Sequence, residues 1–169
     1  IIFQNKIYTN MTDLIKEAKS EKCTSLATFK PTEVLDFIIE KAEREYSAKR
    51  IEAILNKRAQ LSLFEEPRDF ELVRKLPYKF SYKFLDDKNR ESTLMIEDWE
   101  IGSLYWNCLN EYKDENIAIN KVKEKFKKFI ETKDLYFFLG TTREFHKIGK
   151  NPFIIIGVFY PKFEFQPKL

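Results

Sequence analysis

Tyr78-Lys79-Phe80-Ser81-Tyr82-Lys83-Phe84-Leu85 decides the fold class. Tyr78, Phe80, Tyr82 and Phe84 alternate with Lys79, Ser81 and Lys83. Successive side chains of a strand point to opposite faces, so the alternation predicts a half-buried β-strand with an aromatic inner face. Core packing explains that stripe better than a stacking platform for single-stranded nucleic acid, the other use of such rings. Asp86-Asp87-Lys88-Asn89-Arg90 reads as a turn, and Glu91 to Glu97 returns as a second strand with Leu94 and Ile96 inward. The two strands form a hairpin.

Downstream, Asp98 is placed to cap a helix in which Ile101, Leu104, Tyr105, Cys108 and Leu109 share one face. A second helix is expected from Asp114 to Thr132, with Val122, Phe126, Phe129 and Ile130 inward. Leu135 to Leu139 and Phe153 to Tyr160 are short, wholly apolar runs of strand length, joined by a long turn from Gly140 to Asn151. The order is ββααββ: an α+β unit over 78–169, with one mainly antiparallel sheet covered by two helices.

Upstream, Glu65 to Pro77 carries Pro67, Pro77 and several charges, and 65–77 is expected to be a linker. Residues 1–64 read as an N-terminal strand and helical arm. Ile1 to Tyr8 predicts a strand, and Thr12 to about Glu21 a short helix capped by Asn10 or Thr12. Thr24 to Phe29 reads as extended. Pro31 stands near a helix start, and Val34, Leu35, Ile38, Ile39 and Ala42 recur at helical spacing, which predicts a helix to about Glu45. Another helical stretch follows from Ala48 to Leu55 or beyond. The chain opens at Ile1 inside a strand-like run, so it is expected to be the end of a larger, truncated part.

With 169 residues, 43% hydrophobic and 34% charged, the composition is that of a globular protein able to bury a core without staples. A net charge of +3 excludes a dedicated, strongly basic nucleic-acid coat but allows local basic patches. Cys23 and Cys108 match no metal-binding spacing, and a buried free thiol at Cys108 fits a reducing cytoplasm. No apolar run reaches the length of a membrane span, so no membrane partner is expected.

Gln60-Leu61-Ser62-Leu63-Phe64 resembles the peptide with which bacterial DNA-processing proteins dock on the replication sliding clamp. An amide able to hydrogen-bond precedes Leu61, Leu63 and Phe64, which can fill apolar pockets when the segment is accessible. The competing reading packs those three side chains back on their own domain. Glu97, Asp98 and Glu100 cluster at a strand–helix junction, as a Mg²⁺-dependent nuclease requires, with His146 as a further catalytic candidate. Yet Asp98 as a cap and Glu100 in a first helical turn are ordinary structural choices. Arg143 in the loop after Gly140 can hold a phosphate or pair locally. Lys121, Lys123, Lys125, Lys127 and Lys128 crowd one side of the second helix; Lys121, Lys125 and Lys128 are the candidates for a nucleic-acid backbone.

Several segments together resemble the C-terminal two-thirds of a family of uncharacterised bacterial and archaeal proteins. They are Lys30-Pro31-Thr32-Glu33-Val34-Leu35-Asp36-Phe37, Gln60 to Phe64, Glu97-Asp98-Trp99-Glu100 with Leu104-Tyr105, Asp134 to Gly140, and Ile156 to Pro161. The resemblance covers nearly all of the chain and implies a β-rich part before it. It carries no activity and no catalytic residue. Relatives with cysteines in the Asp86–Arg90 turn imply a small metal site there, which this chain lacks the cysteines to form. Trp99, Glu100, Tyr105 and Gly140 gain as site candidates.

These readings converge on a cytoplasmic prokaryotic accessory protein of nucleic-acid metabolism or defence, tethered through Gln60, Leu61, Leu63 and Phe64. Its expected partners are a DNA sliding clamp and nucleic acid. The alternatives are a metal-dependent nuclease using Glu97, Asp98 and Glu100, and a protein-interaction subunit without nucleic-acid contact. No cofactor is expected, apart from Mg²⁺ under the nuclease reading.

Overall fold

The computed structural model describes residues 6–42, 56, 76–141 and 150–163. The chain divides into two compact units, Ile1–Ile39 with Phe80–Leu169, and Glu40–Lys79. The described elements are β1 (Ile7–Tyr8), α1 (Met11–Lys19), β2 (Leu26–Phe29), β3 (Glu33–Lys41), β4 (Tyr78–Leu85), β5 (Glu91–Met95), α2 (Trp99–Tyr112), α3 (Glu115–Thr132), β6 (Tyr136–Thr141) and β7 (Phe153–Phe159). The class is α+β, as expected.

Two sheets replace the expected single one: a four-stranded sheet in the order β1-β2-β6-β7 and a three-stranded sheet in the order β3-β4-β5. β4 and β5 form the anticipated hairpin, with Tyr82 opposite Leu94. β6 and β7 also pair antiparallel. β2 pairs antiparallel with β6, and β1 parallel with β2. The first strands therefore complete a sheet instead of building a helical arm. Beyond the named strands, Ile96 forms a parallel bridge with Ile155 of β7.

The expected helix over Val34–Ala42 is a strand. Val34, Ile38 and Ile39 are β-branched and Phe37 is aromatic, residue types that suit a pleated surface better than a helix. Phe37 is buried and stacks on Phe80 at 5.9 Å and on Phe126 at 5.4 Å. The Ala42 amide donates to the Pro77 carbonyl at 2.9 Å just beyond β3 and β4. The rest of the expected linker, 65–75, and the expected helix from Ala48 lie outside the described residues, Asn56 excepted.

The core is a chain of aromatic rings. Phe29 meets Phe84 at 5.4 Å, Phe84 meets Phe137 at 5.2 Å, and Phe137 stacks on Tyr82 at 5.5 Å. Tyr82, Phe84 and Phe137 are wholly buried, which places the aromatic stripe of β4 in the core. Phe126 and Phe129 of α3 continue the chain to Tyr160. The Tyr82 hydroxyl donates to the Phe126 carbonyl at 2.8 Å, so its polar tip is satisfied, and burial raises its pKa.

Local signals start the helices where the sequence indicated, although the first ends at Lys19, short of the expected Glu21. Asn10 caps α1 through the Asp13 amide. Asp98 and Asp114 cap α2 and α3. Lys113 ends α2 in the left-handed conformation, φ 54°.

The β4–β5 turn is built on Asp86, which is buried. Its carboxylate accepts from the amides of Lys88 and Arg90, each at 2.9 Å, and from that of Met11 at 3.4 Å, with Arg90 Nε 3.3 Å away. Thr9 and Asn10 donate to Asp87 at 2.9 Å, so the same turn holds the start of α1. Burial alone would raise the Asp86 pKa. The amides of Arg90, Lys88 and Met11 and the Arg90 charge outweigh it and hold the carboxyl below its ordinary value. Such a group stabilises the fold above the unfolded carboxylate pKa, and the contribution disappears as pH falls through the folded value. Asp86→Asn sets an NH₂ against a donor and is expected to cost roughly 1–3 kcal/mol at neutral pH. Urea unfolding should show that deficit narrowing below the ordinary carboxylate pKa; a deficit constant with pH would refute the charge assignment.

Candidate functional site

The strand–helix junction separates its acids into different tasks. The backbone of Glu97 donates to the Ile155 carbonyl at 2.7 Å, and its side chain is exposed. Asp98 spends both oxygens on the backbone: Oδ1 accepts from the Glu100 amide at 3.0 Å, and Oδ2 from the Val158 amide at 3.1 Å. It thus caps α2 and pins the junction to β7. Glu100 Oε1 accepts from Lys125 Nζ at 2.6 Å and from the Tyr160 hydroxyl at 3.1 Å. Tyr160 stacks on Phe129 at 4.2 Å. Its pKa is raised by burial first, then by the hydrogen bond to and charge of Glu100, with Lys125 opposing. Among the described residues no three His, Cys, Asp or Glu side chains are grouped to hold a metal ion.

Lys125, a candidate in the sequence for a nucleic-acid backbone, has its ammonium half-buried against Glu100. Lys121, Lys123 and Lys128 are exposed on α3, and Lys127 lies 3.6 Å from Asp36. Gln60, Leu61, Leu63, Phe64, Arg143 and His146 lie outside the described residues. Tyr105 is buried, its hydroxyl 3.3 Å from Glu115. Gly140 is buried, and a Cβ there would lie 3.2 Å from Ile156 Cγ2. Both are packing positions. Cys108 is a buried free thiol, as expected.

The surface that sequence reasoning missed is the outward face of β1-β2-β6-β7. Phe29, Phe137, Leu139, Phe153, Ile155 and Val158 take the inward positions. Ile7, Leu26, Ile156 and Phe159 are exposed on strands of the same sheet, Phe159 by 53%. A bulge at Phe138/Leu139, where Phe138 faces Gly157 and Leu139 faces Ile155, sets Ile156 out of register. The Phe159 ring lies 6.2 Å from Tyr136 and 6.3 Å from Phe138. A Cβ on Gly157 would come within 3.2 Å of Phe138, so the glycine makes room for that ring.

This face continues past both strand ends. The Asp98–Val158 hydrogen bond ties the residue before Trp99 to the residue before Phe159. Trp99 is 83% exposed and Phe163 57%. Beyond Tyr136 and Phe159 the ladder ends in an antiparallel bridge between Lys133 and Lys162. Lys30 stands 4.5 Å from the Tyr136 ring centre and pairs with Asp134. Alternate strand residues and the glycines at 140 and 157 were the available signal, masked because both strands are apolar throughout.

The chain belongs to a family described as Domain of unknown function (DUF8757), which matches residues 7–169. That agrees with the expected membership of an uncharacterised family. No curated protein and no solved structure matches the chain. Among the described residues no helix is long and apolar enough to cross a membrane.

Replacing Glu100 by Gln removes the charge and weakens the acceptor that hold Tyr160 protonated. Tyr160 is expected to titrate at lower pH in this variant, read from the ¹³C shifts of labelled tyrosine. An unchanged titration would show that the Glu100–Tyr160 contact does not persist in solution.

Proposed function

We propose that this chain is a non-enzymatic accessory protein of nucleic-acid metabolism in a prokaryotic cytoplasm. In this reading Gln60 to Phe64 tether it to a sliding clamp, and the outward face of the four-stranded sheet is its own binding surface. The observation that carries the reading is that uncovered face. Ile7, Leu26, Ile156 and Phe159 are exposed on strands of one sheet, with Trp99 and Phe163 exposed near its edge. Exposed apolar clusters of this kind mark binding surfaces more often than they arise idly. The acids of the nuclease alternative support it from the other side. Asp98 is committed to two backbone amides, and Glu100 to Lys125 and Tyr160.

The expected behaviour is retention of nucleic acid at low salt, weakening as salt rises, with no cutting when Mg²⁺ is added. Fluorescence anisotropy and a gel assay on the same samples measure both. Mg²⁺-dependent cutting lost in Asp98→Ala would favour the enzyme instead, and no retention at low salt would remove nucleic acid from the proposal. The tether is tested separately: clamp binding should fall at least tenfold in Leu63→Ala with Phe64→Ala, and equal binding would end it.

A further inference from the structure

We infer that the outward face of α2 binds a cationic, arginine-bearing peptide across Trp99 and Trp106. The inference does not rest on the nucleic-acid reading and concerns a different surface and a different class of partner. Ile101, Tyr105 and Cys108 are the buried residues of α2. At 3.6 residues per turn, Trp99, Ser103, Trp106 and Asn110 fall on the opposite side of the helix. Burial agrees: Trp99 is 83% exposed, Asn107 and Asn110 are exposed, and Ser103 and Trp106 are half-buried. Asn107 Nδ2 donates to Ser103 Oγ at 3.5 Å, so these two lie together on that side. The Trp106 ring packs edge-on against Tyr105 at 5.0 Å, which fixes its place. Both tryptophans of the chain thus stand on one helix face. They are about 10 Å apart along the axis, with the small side chain of Ser103 between them.

A surface helix ordinarily turns charged residues to solvent. α3 does so with Lys121, Glu124, Lys128 and Glu131, all exposed. The outward face of α2, made of Trp99, Gly102, Ser103, Trp106, Asn107 and Asn110, has no charge at all. Tryptophan without charged neighbours is the composition of an interface centre. The charges bordering the face fix the sign of the partner. Over 97–115 the chain has Glu97, Asp98, Glu100, Glu111, Asp114 and Glu115 against Lys113 alone. Lys125 of α3 neutralises Glu100. Glu97, before the first turn, and Glu111, in the last, are exposed and have no ion pair among the described residues. The whole chain carries +3, so this acid excess is local. It repels a phosphate chain and attracts a cation. A guanidinium stacks flat on an indole and keeps its N–H groups at the rim for carboxylates and amides. An extended peptide rises about 3.3 Å per residue, so arginines three positions apart span the two indoles.

The test uses the whole chain and its own fluorescence, since Trp99 and Trp106 are its two tryptophans. The probe is a heptapeptide with arginine at its second and fifth positions and glycine and serine elsewhere. Its titration is expected to shift the tryptophan emission, and rising salt to weaken the binding. The same peptide with glutamate in place of arginine should leave the emission unmoved. Calorimetry on Trp99→Ala should show binding weakened roughly five- to thirtyfold. Glu97→Gln with Glu111→Gln should weaken it and flatten its salt dependence. Ser103→Arg sets a cation between the indoles and should abolish it. Circular dichroism melts check that these surface variants fold. Equal binding of a peptide with norleucine in place of both arginines overturns the inference, because the face then reads apolar surface and not charge. Unchanged affinity in Trp99→Ala, or no response to the arginine peptide at low salt, overturns it as well. A concentration-dependent dimer that Trp99→Ala dissolves, with no response to the peptide, assigns the face to a second copy and likewise overturns it. None of these outcomes touches the nucleic-acid reading, which is read with a different ligand.

Discussion

The stack of Tyr82 on Phe137 holds this fold together. Tyr82 belongs to the hairpin sheet and Phe137 to the four-stranded sheet, and their rings lie nearly parallel at 5.5 Å. The same tyrosine touches Phe37 of β3 and Phe126 of α3, and its hydroxyl donates to the Phe126 carbonyl. One side chain thus joins two sheets and a helix, in a place where water cannot substitute for a lost contact. Truncating a buried aromatic in such a position typically costs about 3–5 kcal/mol, a large part of the stability of an ordinary domain.

That aromatic core also dictates where the free surface falls. The inward face of β2, β6 and β7 is consumed by packing against β4 and, through Tyr160 and Phe129, against α3. The opposite face of the same strands remains open at Leu26, Ile156 and Phe159. Antiparallel sheets commonly leave one face to solvent, and that face is normally polar. Here it is apolar and aromatic.

Much of the fold was legible in local sequence. The β4–β5 alternation, the Asn10, Asp98 and Asp114 caps and the inward stripes of α2 and α3 each depend on residues close in the chain. What was not legible is long-range. Val34 to Ala42 satisfies a helical period as well as a strand's, and the availability of β4 as a partner decided between them. Ile1 to Tyr8 and Thr24 to Phe29 read locally as strand and extended chain, but the pairing of Leu26 with Gly140 joins segments separated by most of the chain, so their sheet partners could not be read from either. The candidate site was hidden by the same property that made β6 and β7 easy to find. Strands apolar at every position conceal which residues face out. Separately, the pairing of Lys125 with Glu100 was not legible because the two residues lie on different helices.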